Sequence, residues 1–196
     1  MILYLHGFRS SPRSIKARQL VARMNALGCG DEFECPQLPV WPAEAGRVIN
    51  ELASRFAQQD LTVIGSSLGG YYATWIAERT ACRAVLLNPA VRPDRDLANH
   101  LGAQTVYHSD ATIIIEPEFL DELRALRVDA ITRPERYFLV AATGDEVLDC
   151  REMVAHYPNA HHHIIAGGDH GLSDFDAVID EVLEFAGIGS TQRAAV

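Results

Sequence analysis

Two spacings of apolar residues alternate along this chain. Continuous apolar runs at 2–5, 61–64, 84–87, 137–142 and 162–166 predict short strands buried on both faces, as in a parallel sheet. The run at 33–38 is weaker, because Pro36 has no N–H to give to a ladder. Between the runs the period is helical. Ala17, Leu20, Val21, Met24 and Leu27 share a face, with Gly28 as the stop. Ala45, Val48, Ile49, Leu52 and Phe56 do the same after Pro42, a good first-turn residue. A helical stretch covers 68–79. Near the end, Phe175, Val178, Ile179, Val182 and Leu183 form a stripe, with Ser173 as its expected cap and Asp174 and Asp176 at its positive end.

Strand–helix–strand repetition predicts an α/β class, with a mainly parallel, doubly wound sheet of about six strands and helices on both faces. One connection is too long for a simple crossover. Leu87 and Tyr137 are 50 residues apart, and the interval holds an apolar triplet at 113–115 and a helical stripe of Phe119, Leu120, Leu123 and Leu126 behind Pro117. The expectation is a single domain over 1–196 with a small cap inserted at about 92–134. The polar tail from Gly187 is expected to fray.

The 196 residues fit one domain, and 48% hydrophobic with 22% charged residues is an ordinary globular balance. A formal charge of −9 argues against a nucleic-acid groove and against an anionic membrane surface. No apolar run approaches the ~20 residues that span a bilayer. A secretory signal is not read either, since Arg9 and Arg13 follow the first apolar run instead of preceding it. Cys29, Cys35, Cys82 and Cys150 contain no Cys-x-x-Cys pair, so neither a zinc ribbon nor a disulfide framework is expected. The reading is a cytoplasmic protein.

Candidate chemistry concentrates at strand ends. Gly65-Ser66-Ser67-Leu68-Gly69 follows a predicted strand and opens a predicted helix, the context in which Gly-x-Ser-x-Gly presents a nucleophile. Ser67 is the nucleophile, and the N–H of Leu68 faces any oxyanion formed there. A serine needs a base. His170, in Gly167-Gly168-Asp169-His170-Gly171 after the last predicted strand, supplies it. The run His161-His162-His163 alternates faces, and no third ligand joins it, so it is read as a partly exposed strand start. His100, His108 and His156 are read as surface or packing residues. The acid expected to orient the imidazole is Asp145, directly after the strand at 137–142. It is favoured over Asp149, Glu146 and Asp169. Phe8, after His6-Gly7, offers a second oxyanion donor, while His6 is read as a hydrogen-bonded loop residue. Arg9 either holds an anionic group of the substrate or is solvated. Phe119 and Leu120 either contact an acyl chain or form the core of the cap.

At MILYLHGFRSSPRSIKA, VIGSSLGGYYATWIAE, LLNPAV, TGDEVLD and GGDHGLSDF the sequence resembles the α/β-hydrolase superfamily, and within it the small bacterial YqiA-like esterases. The resemblance implies a short form of that fold, whose oxyanion strand starts at residue 2. It also implies a Ser67–Asp145–His170 triad, an oxyanion hole at Phe8 and Leu68, and hydrolysis of small-molecule carboxylic esters or thioesters, acyl-CoA among them, without metal or cofactor. Arg9 departs from the neutral Asn expected at its position. An amidase or peptidase on the same triad, and a non-catalytic interaction protein, are the competing readings. A homodimer through apolar surface on the cap or an edge strand is left open.

Overall fold

Along the first strand, side chains alternate between two apolar faces, and both are covered. In a computed structural model, which describes residues 1–105 and 112–189, the elements run in chain order as follows. They are β1 (Ile2–Leu5), α1 (Ile15–Ala26), β2 (Phe33–Glu34), α2 (Pro42–Ala53), β3 (Thr62–Ser66), α3 (Leu68–Thr80) and β4 (Arg83–Leu87). Then come α4 (Pro93–Asp96), β5 (Gly102–Thr105), β6 (Thr112–Ile115), α5 (Pro117–Ala125), β7 (Tyr137–Ala142), α6 (Cys150–His156), β8 (His161–Ile165) and α7 (Ile179–Phe185). Six strands form one parallel sheet in the order β2-β1-β3-β4-β7-β8, and β5 and β6 form a separate antiparallel hairpin.

The alternation sorts the core into two layers. Leu3, Leu5, Val63, Leu86 and Leu139 point to the face covered by α2, α3, α5 and α6. Ile2, Tyr4, Ile64, Val85 and Phe138 point to the face covered by α1 and α7. The fold class expected from the periodicity is thus the one observed. Each fully buried Leu or Phe in these layers contributes about 1.5–3 kcal/mol of transfer free energy.

Several boundaries differ from the sequence reading. The strand at 33–38 shrinks to two residues, paired through Ile2–Phe33 and Leu3–Glu34, with Pro36 one residue beyond Cys35. The third strand starts one residue later than expected and continues to Ser66. Phe56 lies beyond α2. Ser173 does not cap the last helix, because its N–H and hydroxyl both donate to the Asp169 carboxylate. A 3₁₀ turn at Phe175–Ala177 intervenes, and α7 begins only at Ile179. The predicted stripe is nonetheless buried throughout. In the segment 92–134, the apolar residues of α5 do not form a core of their own. Phe119, Leu120 and Leu123 join the layer over α2 and α3. His108 and the tail beyond 189 lie outside the described residues. Among the described residues, no helix is long and apolar enough to cross a membrane.

Candidate active site

A parallel sheet delivers the ends of all its strands to one edge, and five adjacent strands here end in polar turns. Ser67 directly follows β3, Asn88 directly follows β4, and the turns at Phe8, Asp145 and His170 follow β1, β7 and β8. Backbone bonds continue the ladder past the strand ends: Ser67 N–H donates to Leu87 O, Asn88 N–H to Val140 O, and Thr143 N–H to Ile165 O. The turns are therefore fixed to one another as well as to their own strands.

Ser67 sits at φ 54° and ψ −120°, a strained conformation for a residue with a side chain. The chain folds so tightly there that two positions must be glycine. A Cβ on Gly65 would lie 2.1 Å from the Gly69 carbonyl oxygen, and one on Gly69 would lie 2.0 Å from that of Leu5. The turn also brings β1's loop against the serine, since a Cβ on Gly7 would come 3.3 Å from the Ser67 Cβ.

His170 Nε2 lies 3.0 Å from Ser67 Oγ, and its Nδ1 lies 2.8 Å from Asp145 Oδ2. The carboxylate can only accept, so Nδ1 carries the proton and Nε2 is left to accept from the serine hydroxyl. The Asp145 side chain is fully buried, and its other oxygen accepts the N–H groups of Val147 and Leu148, both at 2.8 Å. A buried carboxylate with three donors is satisfied in one orientation. The rival acids have other partners. Glu146 accepts the His170 backbone N–H at 3.0 Å, Asp149 caps α6 and pairs with Arg151, and Asp169 holds Ser173.

Asn88 was not singled out from the sequence, yet it is the fully buried link between the sheet and the histidine loop. Its Nδ2 donates to the carbonyls of Asp169 and His170 at 3.0 and 3.2 Å, and its Oδ1 accepts the Ala142 N–H at 2.9 Å. The signal available was a polar residue ending an otherwise apolar run.

Among the described residues, neither the Phe8 N–H nor the Leu68 N–H has a protein acceptor. Two such groups beside a nucleophile can stabilise an oxyanion. His6, as read, is a hydrogen-bonded loop residue. Its Nε2 accepts the Leu38 N–H at 3.0 Å, so Nδ1 is the protonated nitrogen and donates to Gly7 O, also at 3.0 Å. Burial holds this imidazole below the usual range for histidine.

A cavity of about 290 Å³ opens over Ser67 and His170, with Arg9, Lys16, His100 and Val147 in its wall. Across the Phe8 turn lies a smaller one, about 50 Å³, lined on its apolar side by Leu38, Val40, Leu68 and Ile113. A further concavity, about 810 Å³, runs along 145–151 to Ile164 and excludes both Ser67 and His170. Arg9 is not simply solvated, since its guanidinium donates to the Thr105 carbonyl and, at 2.9 Å, to Gln104 Oε1 of the hairpin. Phe119 and Leu120 line neither cavity at the serine. Phe119 is wholly buried between the rings of Phe8 and Trp41, and Leu120 is buried in the same layer, so both pack in the core in this structure. His161 and His163 share one side of β8 and both bond Glu181, at 3.0 and 2.6 Å, whereas His162 bonds Tyr157 O. His100 reaches the wall of the cavity over Ser67, a position its sequence context did not give it. Among the described residues, no three His, Cys, Asp or Glu side chains are grouped as metal ligands.

Comparison with known proteins agrees with this architecture. A family model described as "Uncharacterised protein family (UPF0227)" matches residues 1–187. Among solved structures, the chain is similar to alpha/beta hydrolase domain-containing protein 10 from mouse, with a TM-score of 0.70 and 17% identity over 93% of this chain and 89% of that one. It is also similar to Est1E from Butyrivibrio proteoclasticus, solved with ferulic acid bound, with a TM-score of 0.69 and 15% identity over 94% and 86%. The esterase domain of a Rhodothermus marinus protein gives 0.64 and 20% over 94% and 85%. At these identities the likeness is one of fold, and the fold is that of the α/β hydrolases.

Proposed function

The chain belongs to the UPF0227 family, and on that premise we propose that it is a serine hydrolase cleaving small-molecule carboxylic esters or thioesters. The observation that carries this reading is the continuous relay from Ser67 through His170 to Asp145, with contacts of 3.0 and 2.8 Å. Esterases among the structural relatives support it.

In this reading Ser67 Oγ attacks the acyl carbonyl while His170 Nε2 takes its proton. Asp145 holds the imidazole in the required tautomer and stabilises the imidazolium. The N–H groups of Phe8 and Leu68 stabilise the tetrahedral oxyanion, and removal of one such donor typically costs about 100–1,000-fold in rate. The imidazolium then protonates the departing alcohol or thiol. A water activated by the same nitrogen attacks the acyl-enzyme, and the acid leaves as Ser67 regains its proton. The segment 92–134 acts as the cap, its hairpin tied to the site through Arg9. The small apolar cavity beside Leu68 favours a short acyl group.

The test is a matched series of butyryl ester, thioester and anilide. The expected result is turnover of the ester and thioester far above the anilide, abolished by Ser67→Ala. Equal or faster turnover of the anilide would assign an amidase instead, and unchanged turnover by Ser67→Ala would remove the serine from the mechanism.

A further inference from the structure

The chain carries a formal charge of −9, yet the cavity over Ser67 is lined by Arg9, Lys16 and His100 together with Tyr4, Ser10 and Ser14. Among the described residues, no carboxylate lines it. The acids nearby face other donors: Asp145 the His170 ring, Glu146 the His170 backbone, and Asp169 the Ser173 N–H and hydroxyl. The wall of the cavity is therefore cationic within an acidic protein.

Lys16 is the group with capacity to bind. It lies in the first turn of α1, half-buried, and its Nζ donates to Gly171 O at 2.6 Å, next to His170. An ammonium has three N–H donors, and among the described residues this carbonyl is its one hydrogen-bond acceptor, which leaves two donors for a ligand or water. Burial lowers its pKa to about 8, opposed by the charges of Asp169 and Asp145. An anion arriving in the cavity would favour the charged form by direct contact. Arg9, already held by Gln104 and Thr105, adds a fixed positive charge to the same wall.

We propose that the substrate of this site carries an anionic oxygen group, a carboxylate or phosphate, a few ångströms from the scissile carbonyl, and that Lys16 is the residue that selects for it. The proposal rests on the serine-hydrolase reading and narrows it. The anion could sit on the acyl or the leaving-group side, and the two arms of the test separate these.

The leaving-group arm compares S-butyryl-3-mercaptopropionate with its methyl ester. The acyl arm compares the mono-S-ethyl thioester of adipic acid with its methyl ester. Released thiol is followed in both. In the wild-type protein, kcat/KM for the charged member of at least one pair is expected to exceed the neutral member about 10-fold or more, through KM, with the advantage eroding as salt rises. Lys16→Met should bring that ratio toward one, and Lys16→Arg should keep most of it. A wild-type ratio at or below one in both arms overturns the anion inference while leaving the hydrolase reading intact. An undiminished ratio in Lys16→Met overturns the assignment of that selection to Lys16. If Lys16→Met fails to fold, the salt dependence of the wild-type ratio decides, and a flat response counts against the proposal. No turnover of any of the four substrates would instead reject the underlying hydrolase reading.

Discussion

Asn88→Ala is the perturbation whose size follows most directly from the structure. The substitution removes three hydrogen bonds: one from the Ala142 N–H and two to the carbonyls of Asp169 and His170. Ala142 is fully buried, so its N–H loses its partner without gaining water, at about 1–3 kcal/mol. The two loop carbonyls are only partly buried and recover water, at roughly 0.5–1 kcal/mol each. Asn88 also sits at φ 42°, a left-handed conformation that Asn tolerates and Ala adopts at about 1 kcal/mol. The total is about 3–6 kcal/mol, a large share of the ~5–15 kcal/mol that stabilises a typical domain. The same change releases the backbone beneath His170. A displacement near 1 Å at such a group costs about 100-fold in rate. Urea unfolding followed by circular dichroism measures the first effect, and kcat on a 4-nitrophenyl ester of a short acid measures the second. An Asn88→Ala protein with a wild-type urea midpoint and wild-type kcat would refute the claim that this amide ties the histidine loop to the sheet.

Asp145→Asn keeps an acceptor for the Val147 and Leu148 N–H groups but presents an amide to His170, which favours the wrong tautomer. The expected outcome is a fall in kcat of about 1,000–10,000-fold with little change in the urea midpoint, measured on the same ester. His6 gives a pH signature. Its imidazole is held below the usual value by burial, so the folded chain binds fewer protons there than the unfolded chain. The stability from this group is present above about pH 6.5 and is lost as the pH falls through the lowered folded value. His156 is shifted the same way, chiefly by burial. Urea midpoints from pH 7.5 down to 5 should therefore decline, and His6→Gln should flatten part of that decline; an identical slope in the variant would contradict the assignment.

The parts legible in the sequence were those governed by local rules. The two glycines around Ser67 are there because backbone oxygens lie about 2 Å from where their Cβ atoms would be, a steric demand that short-range spacing records. The continuous apolar runs at 2–5 and 84–87 foretold strands buried on both faces, and chain order at the strand ends was enough to name Asp145 and His170 as neighbours of Ser67. Residues whose roles depend on distant partners were not legible. Lys16 falls off the apolar face of α1 and reads as solvent-exposed until the loop at Gly171 is seen beside it. Asn88 acts on a loop more than 80 residues later. Phe119 and Leu120 have the spacing of an amphipathic helix whether they line a pocket or fill a core, and the spacing alone did not show Phe119 packed against Phe8 and Trp41 or Leu120 buried in the same layer. Ser173 had cap chemistry, but the Asp169 carboxylate, four residues earlier, captured it first.

In the proposed mechanism the Ser67 hydroxyl is activated by the His170–Asp145 pair. Reaction of the purified protein with a fluorophosphonate, followed by mass spectrometry of its peptides, tests that activation without knowledge of the natural substrate. A single stoichiometric adduct on Ser67 is expected, absent from a folded Ser67→Ala protein and strongly slowed by Asp145→Asn. A folded wild-type protein that takes no adduct, or takes it on another residue, would contradict it.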